Sequence, residues 1–177
     1  MSGKLILYIA CSLDGYIADA NGGIGFLDET PVALPDLGYD QFYQSIGTII
    51  IGGKTYRQVK YELSPNEWMY EGKNCYVYSK QQNPDDHNVQ FTNLPPSKLL
   101  EHIRQHHSGD IWLMGGGEIV HCFMQENLID EYYIYVMPNL LGEGIPLFRA
   151  GFPPVKIELK SAKAMKGITE TIYCRRK

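Results

Sequence analysis

The chain has 177 residues, of which 44% are hydrophobic and 20% are charged, and its formal net charge is −4. This composition is ordinary for a soluble globular protein, and the length fits one domain over residues 1–177. Basic residues are scattered apart from Arg175-Arg176-Lys177, which argues against a nucleic-acid partner because such partners usually require a basic face. No stretch approaches the roughly 20 apolar residues of a membrane span, so we expect no membrane partner.

The early part of the chain alternates strand-like and helix-like segments. Strands are predicted at Leu5 to Ser12, Ile49 to Ile51, Asn74 to Ser79, Ile111 to Met114 and Glu131 to Met137. Helices are predicted near Phe42 to Ile46, over Pro96 to His107 with Gly109 as C-cap, and over Ile119 to Met124. Such alternation indicates βαβ units and a parallel core sheet.

The C-terminal part has a different pattern. Val155, Ile157 and Leu159 alternate with charged residues, and Gly167 separates them from Thr169 to Cys174, which predicts a β-hairpin. The sequence therefore predicts an α/β fold: a mixed, mainly parallel central sheet flanked by helices, with an antiparallel C-terminal hairpin.

The cysteines are isolated along the chain, at Cys11, Cys75, Cys122 and Cys174. No pair has the spacing of a metal site or a redox motif, and we expect buried, reduced thiols in a cytoplasmic protein. His102 and His106 have the spacing of a zinc-binding helix face, but a solvated face explains them better, and no metal site is predicted.

Two apolar runs end in glycines and continue into helix-like stretches. The first ends in Gly52-Gly53-Lys54-Thr55 and the second in Gly115-Gly116-Gly117-Glu118. Backbone N–H groups at a helix N-terminus bind anions, so two such turns suggest a ligand with several phosphates, such as a dinucleotide. The alternative is a pair of tight turns without a ligand. Neither turn has the Rossmann or Walker pattern.

Aspartates near these segments are candidate acids. Asp14-Gly15 follows the first strand and is explained by a turn on chemical grounds alone. Asp36 and Asp40 lie in or near a glycine- and proline-rich loop, and they either face a pocket or are solvated caps.

Several motifs occur in the order seen in the dihydrofolate reductase-like superfamily. They are Ser12–Ala18, Ile51–Tyr56, Tyr78-Ser79-Lys80, Met114–Gly117 and Leu128–Glu131. The segment Pro138–Phe148 is similar to the riboflavin-pathway reductase branch, the C-terminal domain of the bifunctional deaminase/reductase. The resemblance covers nearly the whole chain.

This resemblance implies an NADPH-dependent reductase similar to 5-amino-6-(5-phosphoribosylamino)uracil reductase. The hydride would go to a C=N bond of a small heterocyclic or ribosylamino-pyrimidine substrate, and Asp14, Asp40 or water would supply the proton. The residues that the resemblance places around the nicotinamide are Ala10, Ile17 and Ala18. Those around the phosphates are Gly52, Gly53, Lys54 and Thr55 on one side and Gly115, Gly116, Gly117, Glu118 and Ile119 on the other. Ser79 and Lys80 fall where relatives meet the adenosine 2′-phosphate.

The chain also departs from the pattern of its relatives. Gly53 replaces a phosphate-contacting arginine, Glu118 stands where a basic residue is frequent, and Leu113-Met114 replaces a substrate-contacting glutamate. The loss of that glutamate keeps open a nucleotide-binding module without catalysis. A dihydrofolate reductase that uses Asp36 or Asp40 is the other alternative, although Glu118 argues against folate-type cofactor geometry. The segment Asp130–Phe148 resembles a dimerisation region, and we expect a homodimer.

Overall fold

The structure is a computed structural model that describes residues 3–29, 38–81 and 88–176. Within these ranges eight strands form the central sheet: β1 (Leu5–Ser12), β3 (Ile46–Gly52), β4 (Asn74–Tyr78), β5 (Val89–Thr92), β6 (Asp110–Gly115), β7 (Glu131–Met137), β9 (Ile157–Met165) and β10 (Ile168–Arg175). Two short strands, β2 (Tyr16–Ala18) and β8 (Ile145–Pro146), pair with each other in a separate antiparallel ribbon.

The strand order is β5-β4-β3-β6-β1-β7-β10-β9. The six strands from β5 to β7 are mutually parallel, whereas β10 runs antiparallel to both β7 and β9. Lys166 and Gly167 join β9 to β10 with positive φ angles of 50° and 89°, as the twist of a tight hairpin requires. The predicted mixed sheet with a C-terminal hairpin is confirmed.

Helices cover both faces of the sheet. They are α1 (Tyr39–Ser45), α2 (Gly53–Gln58), α3 (Pro96–His106) and α4 (Gly117–Gln125), and α2 continues into a π-helical turn over Val59–Leu63. Leu5 and Leu7 of β1 pack in one core with α3 and α4, while Ile6 and Tyr8 pack in the other with α1 and α2. This division follows from the alternation of side chains along a strand.

Some element boundaries differ from the predictions. The helix α3 ends at His106 with His107 as its C-cap, so Gly109 is not the cap. Instead Gly109 has a φ angle of 86° in the turn that leads into β6, a conformation that glycine adopts without steric cost. The short strands β2, β5 and β8 were not predicted.

The cysteine prediction is correct for two of the four residues. Cys11 and Cys75 are buried, and burial raises the pKa of the Cys11 thiol to about 11. Cys122 is exposed and Cys174 is half-buried, so the prediction of burial is wrong for them. Cys122 lies on α4 beside a cleft rather than against the sheet.

Across the described residues, no helix combines the length and the hydrophobicity that crossing a bilayer requires. The same residues contain no group of three or more His, Cys, Asp or Glu side chains that could hold a metal ion.

Candidate functional site

The centre of the sheet is also the place where the chain connections diverge. β3 and β6 are neighbours, with Ile51 paired to Gly115. The chain leaves β3 toward β4 on one side and leaves β6 past β1 toward β7 on the other. Open α/β sheets bind ligands in the crevice at the carboxyl ends of strands that diverge in this way.

Both glycine turns lie at this crevice and face each other. A Cβ atom on Gly52 would lie 3.3 Å from the carbonyl oxygen of Gly115, and one on Gly116 would lie 3.2 Å from Oγ1 of Thr55. The peptide bond between Gly115 and Gly116 is cis. Two turns that are distant in sequence therefore form one continuous wall, and side chains larger than hydrogen would crowd it.

Behind this wall, Gly117 touches the small ribbon. A Cβ atom at Gly117 would lie 2.7 Å from the carbonyl oxygen of Pro146 in β8. Because no Cβ atom approaches a carbonyl oxygen that closely, the first residue of α4 has to be glycine for β8 to pack where it does. Leu147 N donates a hydrogen bond to the carbonyl oxygen of Gly15 at 2.9 Å, which ties this ribbon to the turn after β1.

The turns border a cleft with a volume of about 840 Å³, within the range of small-molecule and cofactor sites. Most of the residues predicted to bind a cofactor line it: Ala10, Ile17, Ala18, Gly52, Gly53, Lys54, Thr55, Gly116, Gly117, Glu118 and Ile119. Gly115, Ser79 and Lys80 are not among the lining residues. Ser79 packs against the first turn, with its Cβ 3.1 Å from the position that a Cβ on Gly53 would take. Lys80 is exposed, two residues beyond the end of β4.

Further residues that were not predicted to bind the cofactor also line the cleft. They are Ile9, Ala20, Asn21, Gly22, Gly23, Ile24, Leu27, Gln58, Glu62, Tyr78, Met114, Cys122 and Ile145. The spacing of Gln58 on α2, four residues after Lys54, places both on one side of that helix and could have identified it. Tyr78 and Ile145 have no such local spacing, although both lie in segments that the resemblance includes.

The loop over residues 19–24 forms one side of the cleft. Oδ1 of Asp19 accepts hydrogen bonds from the backbone N–H groups of Asn21 and Gly23, each at 2.8 Å. Nε2 of Gln58 donates to the carbonyl oxygen of Gly22 at 3.0 Å. The loop is therefore held both by its own aspartate and by a side chain of α2.

The charged side chains of the two turns pair with each other. Nζ of Lys54 lies 3.1 Å from Oε1 of Glu118, and the two side chains are 78% and 69% exposed. Glu118 is in the first turn of α4, where the helix dipole favours an anion, and Lys54 is in the first turn of α2, where it disfavours a cation.

Asp14 has an environment unlike that of a proton donor. Its carboxylate accepts hydrogen bonds from Oγ of Ser12 at 2.6 Å, from N of Gly142 at 2.7 Å and from N of Leu141 at 3.1 Å. The hydrogen bond from Ser12, and then those from the two N–H groups, lower the pKa of Asp14 below its usual value. The carboxylate is therefore ionised at neutral pH, fixes the loop after β7, and does not line the cleft. Asp14 was one of three candidate proton sources, and its geometry fits a structural role in this loop.

Of the other candidate acids, the structure describes only Asp40. Asp40 is exposed in the first turn of α1 and is absent from the lining residues. Asp36 lies outside the described residues.

Comparison with known proteins identifies relatives along the whole chain. The family model of the RibD C-terminal domain matches residues 3–170. The uncharacterised protein YwjB of Bacillus subtilis strain 168 is 40% identical over 178 residues, which cover 99% of each chain. A solved structure from Shewanella sp. PV-4 has the provisional name riboflavin biosynthesis protein. It is 27% identical to this chain with a TM-score of 0.87, and the match covers 100% of both chains.

A more distant solved structure defines the fold. A dihydrofolate reductase from Enterococcus faecalis, solved with NADP(H), is 15% identical and has a TM-score of 0.63, over 100% of this chain and 99% of that one. The predicted dihydrofolate reductase-like fold is thereby confirmed.

Proposed function

Because the chain belongs to the RibD C-terminal domain family, we propose that it is a reductase that uses NADPH. The proposed substrate is a small heterocyclic or ribosylamino-pyrimidine compound, as in the reduction of 5-amino-6-(5-phosphoribosylamino)uracil. The observation that carries the proposal is the convergence of two glycine turns on one cleft, at the ends of the neighbouring parallel strands β3 and β6.

The phosphate end of a dinucleotide fits the glycine wall. The turns expose backbone beside the first residues of α2 and α4, and they carry the ammonium group of Lys54 and the hydroxyl group of Thr55. These groups bind anions through hydrogen bonds and charge. Ser79 and Lys80 stay predicted contacts of the 2′-phosphate, next to the first turn.

The apolar part of the cleft lining suits a flat, largely apolar ring. Ile9, Ala10 and Ile17 line it together with Met114. When bound, the cofactor would supply the hydride. The chain's own residues would position the ring against the substrate and exclude water from that contact. Since neither Asp14 nor Asp40 lines the cleft, water is the proton source that fits best.

Nucleotide binding is the first test. We expect NADPH to raise the melting temperature in a thermal-shift titration, because a ligand at 100 times its Kd stabilises the folded state by about 2.7 kcal/mol. If neither NADPH nor NADH changes the melting temperature at millimolar concentration, the cofactor assignment is wrong.

Substrate assays then separate the remaining alternatives. Loss of the NADPH absorbance band with the ribosylaminopyrimidine, and none with dihydrofolate, is the result that we expect. The reverse pattern identifies a dihydrofolate reductase. Nucleotide binding without turnover of either compound supports the non-catalytic module.

A further inference from the structure

The charges around the cleft are unusual for a site that receives a polyanion. Among the described residues that line it, Lys54 is the only cation, whereas Glu62 and Glu118 are both carboxylates. The one cation is moreover paired, with its Nζ atom 3.1 Å from Oε1 of Glu118. An incoming phosphate therefore meets a lysine whose charge is already compensated.

We propose that Glu118 sets cofactor selectivity by competing with the ligand's phosphates for Lys54. This inference rests on the proposed function. Glu118 is in the first turn of α4, directly after Gly115, Gly116 and Gly117, and its carboxylate reaches Lys54 of the first glycine turn. The side chain acts as a built-in anion that a ligand has to displace.

The size of the effect depends on the charge of the ligand. Electrostatic repulsion by the Glu118 carboxylate makes the binding free energy less favourable for NADPH than for NADH, because NADPH carries an additional phosphate. Glu118 therefore weakens the preference for NADPH over NADH. A substitution that removes the charge of Glu118 but keeps its shape should tighten the binding of both nucleotides, and that of NADPH more than that of NADH.

The test is a set of dissociation constants measured by fluorescence titration at low ionic strength. Glu118→Gln should lower the Kd for NADPH about two- to fivefold, the range of an exposed ion pair, and should lower the Kd for NADH less. In 0.5 M salt the difference between wild type and variant should shrink, because exposed charges are screened.

Two comparisons separate the ion pair from the overall charge. Glu62→Gln also removes one negative charge from the cleft. Because Glu118 is the carboxylate paired with Lys54, Glu62→Gln should increase NADPH affinity less than Glu118→Gln does. In a Lys54→Gln background, Glu118→Gln should have a clearly smaller effect, since a double-mutant cycle isolates the coupling between the two side chains.

Each outcome decides between the possibilities. If the wild-type protein binds neither nucleotide, the proposed function fails and this inference fails with it. If the wild type binds NADPH but Glu118→Gln binds it no more tightly, the proposed function stands and the inference is wrong. The inference is also wrong if Glu62→Gln tightens NADPH binding as much as Glu118→Gln does. It is likewise wrong if Glu118→Gln tightens NADPH binding equally in the Lys54→Gln background and in the wild type.

Discussion

Gly117 shows how a single residue controls the shape of the site. It begins α4, where alanine would favour the helix, yet a Cβ atom there would lie 2.7 Å from the carbonyl oxygen of Pro146. The close approach, and not an unusual backbone angle, requires glycine. The neighbouring strand β8 would have to move to make room for a methyl group.

We therefore expect Gly117→Ala to destabilise the protein by about 1–3 kcal/mol, the usual range for overpacking, and to weaken NADPH binding. Urea unfolding and fluorescence titration measure the two effects. Gly25→Ala is the matched control, because a Cβ atom at Gly25 would have nothing within 4 Å. Similar unfolding free energies for the two variants would contradict the steric argument.

Asp14 shows a limit of prediction from single residues. Its place after the first strand suggested a turn on chemical grounds, and the structure agrees, since Ser12, Leu141 and Gly142 surround its carboxylate. A catalytic role was one of three open choices for the proton source. Two of these three partners lie more than 120 residues away, so the sequence contained no local sign of the interaction that lowers the pKa of Asp14.

At the scale of elements, β7 and β10 are joined by a buried polar contact as well as by backbone hydrogen bonds. Tyr135 donates its hydroxyl hydrogen to Oε2 of Glu170 at 2.9 Å, and Glu170 is only 5% exposed. Nζ of Lys163 on β9 lies 3.8 Å from the other carboxylate oxygen. Without the Tyr135 hydroxyl, the buried carboxylate of Glu170 would lose a hydrogen-bond donor.

We expect Tyr135→Phe to lower the free energy of unfolding by roughly 1–3 kcal/mol, the range for a buried polar group that loses its partner. Tyr133→Phe is the control on the same strand. Its hydroxyl contacts Glu131 at 3.1 Å, but that carboxylate also pairs with Lys4 at 2.7 Å and would keep a partner. Chemical denaturation measures the free energy of unfolding of both variants. An equal decrease for Tyr133→Phe would contradict the role assigned to the contact between Tyr135 and Glu170.

Periodicity was sufficient to predict the long elements of the fold. Leu5–Ser12 and Glu131–Met137 have the predicted bounds, because their apolar runs are bordered by turn residues. The strands β2 and β8 were missed, since strands of three and two residues are too short to show a period. The strand β5 was missed as well, and its four residues form an edge that owes its conformation to pairing with β4.

At the scale of the whole molecule, several large apolar side chains are exposed to solvent. Leu140, Phe148, Ile157 and Leu159 are 72%, 43%, 44% and 52% exposed. Two of them lie in the segment Asp130–Phe148, which resembles a dimerisation region. A contiguous patch of such side chains is typical of a surface that a partner covers, and this segment is where we expect one.

We propose a homodimer and expect light scattering to give twice the mass of the chain. Leu140→Lys together with Phe148→Lys should shift the protein toward the monomer, because buried charges without partners oppose association. Met69→Lys, at a residue that is 51% exposed elsewhere on the chain, should leave the mass unchanged. A monomeric wild-type protein at micromolar concentration would contradict the proposal.

The cleft as a whole could be predicted only in part. Each glycine turn was visible as an apolar run that ends at a helix start. Their position opposite each other depends on the pairing of β3 with β6, and no local pattern encodes which strands become neighbours. The order of motifs shared with a known superfamily supplied that information, and the charge pairing of Lys54 with Glu118 still escaped it.

The pairing of β3 with β6 also constrains how the protein is made. The first glycine turn is complete at residue 55, but its counterpart leaves the ribosome only after some 60 further residues have been added. A nascent or truncated chain that stops before β6 has one wall of the crevice and no site. Under the proposed function, nucleotide binding would therefore require that β6 has paired with β3, and a bound nucleotide would report that synthesis has passed that point.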